Sequence, residues 1–223
     1  MILAGHCLTQ EYDMRRVLSL ALALTAIGSL QAQSPRFGIY FNLGVPSGEF
    51  REKIYAPTTD VTEPQIEGYD VGFGGQFTMS FPLQKKLAFR VGLGGMSTAG
   101  TNTASGYETI YLRHTMLSLT GEIQLFFDDA YRHRGTYFLA GISADYERFE
   151  RSTDDYWDSW SDSWATRKNR LGGIVGIGHS FYGASDIKFT TELSYRSTLT
   201  GDDPLRQEPH ATNFLKVSFG FVF

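Results

Sequence analysis

Large apolar residues occupy every second position in segment after segment of this chain. In the segment that ends it, NFLKVSFGFVF, the alternating apolar residues are Leu215, Val217, Phe219, Phe221 and Phe223. The positions between them carry mostly small or polar residues, such as Lys216, Ser218 and Gly220. Side chains along a β-strand point alternately to its two faces. The spacing therefore predicts strands with one apolar and one polar face.

Eight segments carry this alternation. They are residues 36–45, 69–81, 87–95, 115–127, 137–149, 170–182, 187–199 and 213–223. Three connections, near Pro82, Asp128 and Gly183, are short. The other four are predicted as long loops, at residues 46–68, 98–109, 150–169 and 201–212. Strands of about ten residues with short turns on one side and long loops on the other predict an all-β fold, an antiparallel up-and-down transmembrane β-barrel of about eight strands.

The composition of the polar face indicates which way the strands face. Many of the chain's 24 glycines lie on it, together with Ser and Thr. Glycine weakens a water-facing strand, whereas a crowded lumen needs small residues. The face also carries charges of both signs, which we predict to form a lumen ion-pair network of Arg90, Glu122, Lys188, Glu192, Arg196 and Lys216. The alternative is a soluble, calycin-like periplasmic barrel with its apolar face around a ligand.

The N-terminal region has the order of a signal peptide. Arg15 and Arg16 follow Met14, an apolar run covers residues 17–30, and small residues surround Ala32. We therefore predict an upstream extension and signal peptide over residues 1–32, with the true start at Met14, and a barrel over residues 33–223. Cleavage near Ala32 would remove Cys7, the one cysteine of the chain.

FLKVSFGFVF resembles the C-terminal signal of bacterial outer-membrane barrels, and the exported chain resembles the OmpA/OmpX-type eight-stranded barrels and PorT-like outer-membrane β-barrel proteins. The resemblance implies residence in the outer membrane of a Gram-negative bacterium, among lipid and lipopolysaccharide. It also implies delivery by the barrel-assembly machinery, with Phe219, Phe221 and Phe223 as the signal. We expect Phe223 to lie in an aromatic girdle at the periplasmic edge, with these residues at similar depth: Phe81, Phe127, Tyr137 and Phe181.

An eight-stranded barrel holds only its own side chains, so we expect a structural or surface-interaction role, with a narrow channel or a lipid-modifying enzyme as alternatives. His179 and Ser180 are adjacent in a strand and face opposite sides, so they cannot form a catalytic pair. We therefore predict no catalytic residues, no enzyme activity and no cofactor. The loop aspartates lack the spacing of a calcium loop, so we predict no metal site either. The net charge of −4 gives no reason to expect nucleic-acid binding.

All three tryptophans lie in one segment, DDYWDSWSDSW, at Trp157, Trp160 and Trp164, with Asp158 among them. The predicted topology places this segment in the third long loop, outside the cell. Spacings of three and four would align the rings on one face of a short helix. They would then either form a surface that binds an extracellular partner or anchor the loop among the lipid headgroups.

Overall fold

The computed structural model describes residues 34–47, 69–104, 108–155, 162–181, 187–199 and 212–223. Eight strands lie in these ranges: β1 (Arg36–Ser47), β2 (Gly72–Gln84), β3 (Leu87–Ala104), β4 (Glu108–Phe126), β5 (Gly135–Asp155), β6 (Asp162–Phe181), β7 (Lys188–Thr198) and β8 (Asn213–Val222). Each pairs antiparallel with its neighbours in sequence, and β8 pairs with β1 to close the barrel. The predicted fold class is confirmed. No helix in the described residues is long and apolar enough to cross a membrane.

The apolar face of each strand points outward. Phe41 and Phe73 are 63% and 67% exposed, whereas Gln124 and Thr190 on the opposite parity are fully buried. This orientation is the reverse of a calycin-like barrel, in which the apolar face lines the interior. The polar face therefore fills the lumen, as its composition indicated.

Two inward-facing glycines make room for aromatic rings. A Cβ built on Gly178 would lie 2.6 Å from the hydroxyl oxygen of Tyr137, and one built on Gly220 would lie 2.7 Å from a ring carbon of Tyr40. Neither separation is sterically possible without a shift of the ring. Glycine at these positions is thus required by the two tyrosines that cross the lumen.

The strands differ in length around the barrel. β3 to β6 have 18 to 21 residues, whereas β7, β8, β1 and β2 have 10 to 13. Two predicted long loops are therefore wrong in extent, because most of residues 98–109 and 150–169 is strand. The ladder between β3 and β4, for example, continues from Thr98↔His114 to Ala104↔Glu108. Backbone pairing extends there without an apolar pattern on either face, which is why alternation did not reveal it.

The barrel has a turn end and a loop end, which differ in their connections. At the turn end lie the short connections after β2, β4 and β6, together with the start of β1 and the end of β8. At the loop end lie the connections after β1, β3, β5 and β7. The predicted signal peptide, with Met14 and Cys7, lies outside the described residues.

Candidate functional site in the lumen

A buried charged cluster crosses the lumen in its turn-end half. Arg90 on β3, Glu122 on β4 and Glu192 on β7 are 1%, 1% and 4% exposed. The Arg90 guanidinium donates from Nε to Glu122 Oε2 at 2.8 Å and from Nη2 to Glu192 Oε2 at 3.0 Å. Further ion pairs link it to both carboxylates. One guanidinium therefore joins strands on opposite sides of the barrel, and we call this group the Arg90 cluster.

Two tyrosines complete the hydrogen bonding of the Arg90 cluster. The Tyr137 hydroxyl donates to Glu192 Oε1 at 2.5 Å, and Arg90 Nη1 donates to the Tyr40 hydroxyl at 3.3 Å. The Arg90 guanidinium also lies 5.3 Å from the centre of the Tyr40 ring. Buried charges are tolerated when partners satisfy their hydrogen bonds. The cluster meets that condition with groups from five strands.

The predicted single network of six residues is divided in the structure. Lys216 lies near the Arg90 cluster but donates to Gln76 Oε1, at 3.4 Å. Arg196 forms an ion pair with Asp145 instead, and its Nη1 donates to Ser118 Oγ at 3.0 Å. Lys188 begins β7 opposite Val222 and is half-buried, roughly 13 Å along the strand from Glu192. Arg90, Glu122 and Glu192 are thus brought together, whereas Lys188 and Arg196 lie elsewhere.

Nearer the loop end, three side chains lie close to the carboxylate of Glu147. Thr212 Oγ1 donates to Glu147 Oε1 at 2.6 Å, and Arg170 Nε lies 3.3 Å from Glu147 Oε2. His114 Nε2 lies 3.8 Å from the same Oε2 atom. The residues of this group lie on β4, β5 and β6 and directly before β8. Glu147, Arg170 and His114 are not part of the lumen network predicted from the sequence.

An apolar cluster closes the loop end of the lumen, and sequence analysis missed it. We call it the loop-end cluster; its members are Tyr69, Met96, Leu112, Met116, Phe149 and Phe214. The His114 ring lies against it, with its centroid 4.6 Å from that of Phe149 and 6.0 Å from that of Phe214. The signal was present as neighbouring apolar pairs, Met116–Leu117 and Phe214–Leu215, in which strict alternation fails. One member of each pair faces inward.

The connection between β4 and β5 folds beneath the turn end. Asp129 Oδ1 accepts from the backbone amides of Tyr131 and Arg132, at 2.9 and 3.3 Å. Ala130 and His133 are each 1% exposed, and the His133 ring packs edge-on against Phe126 at 5.1 Å. His133 has a positive φ of 47°, which is uncommon outside glycine. The turn therefore places an imidazole under the lumen.

The environment of His133 disfavours its charged form. Burial lowers the pKa of the His133 imidazole to about 3, and the positive charges of Arg90 and Arg36 act in the same direction, whereas Glu192 opposes them. Its Nε2 atom has no hydrogen-bond partner in the described part of the chain. The ring is accordingly neutral at pH 7 and acts as packing.

The outward aromatic residues at the turn end include the predicted assembly signal. Phe219, Phe221 and Phe223 are 42%, 47% and 48% exposed on the outer face. The backbone of Phe223 exchanges two 2.9 Å hydrogen bonds with Phe37, so it takes part in barrel closure. The placement of Tyr137 in the aromatic girdle is wrong. Its ring is fully buried in the lumen, because inward parity and the space above Gly178 favour that side.

The tryptophan segment is only partly described. Trp157, Asp158 and Trp160 lie outside the described residues. Trp164 is in β6, where its backbone pairs with Arg151 of β5. The predicted short helix is therefore wrong at Trp164, because the β5–β6 ladder extends through that position.

The described residues offer little for catalysis. His179 is exposed and Ser180 is buried, so the two face opposite sides of β6, as expected. His179 Nδ1 instead lies 2.9 Å from the Thr136 hydroxyl on the outer surface. Within the same described ranges, no group of three or more His, Cys, Asp or Glu side chains could hold a metal ion.

The similarity of this chain to known proteins concerns its fold. No protein-family model matches the chain, and no curated protein matches it. Among solved structures it is similar to a major outer membrane protein from Thermus thermophilus, with a TM-score of 0.51 and 12% identity over 86% of this chain and 100% of that one. The fold is that of the small, OmpA/OmpX-type outer-membrane barrels. Ail, the attachment invasion locus protein of Yersinia pestis, is also similar, with a TM-score of 0.49 and 10% identity over 85% of this chain and 97% of that one.

Within this outer-membrane fold the lumen is filled. A cavity of about 30 Å³ lies between the Arg90 cluster and the loop-end cluster. Its polar lining includes Asn42, Gln76, Ser118, Thr120, Arg196 and Lys216. Such a space holds about two water molecules. Side chains above and below it leave no wide aqueous path through the described residues.

Proposed function

We propose that the protein is an integral outer-membrane barrel whose lumen is a structural plug and whose loop end provides a surface for interaction. The observation that carries the proposal is the continuous apolar exterior around a polar, hydrogen-bonded interior. Exposed apolar surface of this extent is incompatible with a soluble monomer. A bilayer covers it and leaves the backbone hydrogen bonds satisfied by closure.

A heat-dependent gel shift after membrane fractionation tests this proposal. We expect the mature protein in the outer-membrane fraction and a different mobility before and after boiling. Recovery of the folded protein in the soluble periplasmic fraction would overturn the proposal. The variant Phe223→Asp tests the assembly signal of Phe219, Phe221 and Phe223 in the same assay. It should reduce the amount of folded barrel, whereas Tyr131→Asp in the β4–β5 turn, as the control, should not.

The filled lumen supports a structural role rather than transport or catalysis. The Arg90 cluster and the loop-end cluster each bury their groups almost completely. Steady, porin-like conductance in planar bilayers would contradict this assignment and favour the narrow-channel alternative.

The tryptophan segment remains our proposed surface-interaction site, with Trp157, Asp158, Trp160 and Trp164 as its residues. Its support is the concentration of all three tryptophans within eight residues, around the connection between β5 and β6 at the loop end. Tryptophan is amphipathic and is enriched where proteins bind partners. The partner would be a molecule at the cell surface.

Replacing the three tryptophans together by Ser separates binding from anchoring. We expect the triple variant to give a normal heat-dependent gel shift and to lose adhesion of whole cells to immobilised host or neighbouring-cell surface material. Ser163→Ala, in the same segment, is the matched control. Poor assembly or lower stability of the triple variant would instead identify the rings as headgroup anchors.

A further inference from the structure

Three arginines lie together on the outer wall near the loop end. Arg113 is on β4, Arg148 on β5 and Arg167 on β6, and all three side chains are exposed. Arg148 is directly opposite Arg167 in the β5–β6 ladder, and Arg113 is opposite Glu150 in the β4–β5 ladder. Side chains directly opposite on one face of a sheet have Cβ atoms about 5 Å apart. We call these three residues the arginine patch.

The patch carries more positive charge than its own carboxylate neutralises. Glu150 forms an ion pair with Arg148 and lies 4.0 Å from Arg113 Nε. No carboxylate in the described residues pairs with Arg167. Like charges placed directly opposite in a sheet destabilise it. An anion bound between Arg148 and Arg167 would remove this repulsion.

The patch borders the apolar exterior on one wall only. On the same three strands, the outward positions towards the turn end carry Leu117, Tyr146 and Leu171, which are 53%, 43% and 40% exposed. Asn169 lies between the two regions, opposite Tyr146. The outward register positions of the other five strands, as far as they are described, carry neither Lys nor Arg. Among the outward-facing strand positions that the structure describes, positive charge therefore lies at one point, on the loop-end edge of the apolar belt.

We propose that the arginine patch binds a phosphate of a lipid headgroup in the outer leaflet. The guanidinium groups of Arg148 and Arg167 match the oxygens of a phosphate in geometry and charge. An acyl chain of the same lipid then lies against Leu117 and Leu171 below, so a single molecule contacts both regions. This inference rests on the proposed membrane location and assigns a lipid site to it.

Binding of defined lipids to the refolded barrel tests the inference. The protein is kept in a sugar-based detergent without phosphate and titrated with bis-phosphorylated lipid A, with the dephosphorylated glycolipid, and with inorganic phosphate. The variant Arg148→Gln/Arg167→Gln removes the patch. Arg132→Gln in the β4–β5 turn is the control, because its exposed side chain lies at the other end. The heat-dependent gel shift of every variant is recorded separately.

We expect the double variant to bind bis-phosphorylated lipid A at least about tenfold more weakly than the wild type, since two charge-assisted hydrogen-bonding groups are lost. The control should bind as the wild type does. Equal affinity for the dephosphorylated lipid, or equal binding by the double variant, would overturn the inference. If inorganic phosphate binds as tightly as lipid A, the patch recognises free phosphate and the assignment to a lipid headgroup is wrong. If the wild type fails to give a gel shift, the membrane location fails instead.

Discussion

The two halves of the lumen are closed by different physical means. In the turn-end half, the Arg90 cluster holds three charged side chains that are at most 4% exposed, and two tyrosine hydroxyls complete their hydrogen bonds. In the loop-end half, the loop-end cluster closes the barrel with aromatic, leucine and methionine side chains. The first seal depends on mutual charge compensation, whereas the second depends on apolar contact beside the Glu147–Arg170 ion pair. A substitution that removes one interacting side chain should therefore destabilise the two halves to different extents.

The difference follows from what each removal leaves behind. A charge that loses its partner in a buried site keeps its full desolvation cost. An apolar side chain that becomes smaller leaves only a gap and fewer contacts. The turn-end half should therefore be the more sensitive to a single substitution, and the more readily repaired by a compensating one.

Arg90→Met should have the largest effect on stability. It leaves Glu122 and Glu192 buried without their cation, and we expect a loss of about 3–5 kcal/mol in the free energy of unfolding. Unfolding by guanidinium chloride from lipid vesicles measures this loss. Adding Glu122→Gln to the variant should recover part of it, because the carboxylate that remains, Glu192, then has Lys216 as a nearby cation. Arg132→Met in the turn serves as the control. Wild-type stability of Arg90→Met would remove the proposed contrast between the two seals.

Phe149→Leu in the loop-end cluster should have a smaller effect. The substitution keeps an apolar side chain but loses the ring contact with His114, so we expect about 1–2 kcal/mol of destabilisation. Phe73→Leu is the matched control, because Phe73 is largely exposed on the outer wall. The same unfolding assay compares them. A loss equal to that of Arg90→Met would mean that packing and charge contribute equally to the two halves.

Alternation predicted the strands and their faces, because the side chains of a strand point alternately to its two faces and the large apolar ones face outward. It failed where large apolar residues face inward, as Phe149, Phe214 and Tyr137 do, since a polar lumen was the premise. Arg90 and Glu122 become neighbours once the β3–β4 register is known. Glu192 meets them only through barrel closure, which depends on the whole chain. Local sequence could not reveal that contact.

The most local effect concerns the turn beneath the Arg90 cluster. The pKa of His133 is about 3 when its ring is buried, against an ordinary value near 6.5. Between these values the released turn binds a proton and the docked turn does not. Docking is therefore fully favourable above about pH 6.5 and weakens as the pH falls towards 3, by at most about 1.4 kcal/mol per pH unit.

Hydrogen exchange at the Ala130 amide, which donates to the Lys85 carbonyl at 2.7 Å, measures the docking of this turn. After correction for intrinsic rates, protection should fall between pH 7 and pH 5. His133→Asn is the informative variant, because asparagine tolerates a positive φ and does not titrate. Its protection should be independent of pH over this range. Equal pH dependence in both proteins would assign the effect to another group, and Asp129 in the same turn would then be tested by Asp129→Asn. If a single proton releases the turn, the least stable part of the turn-end half is a packing contact, and it lies directly below the buried ion pairs of the Arg90 cluster.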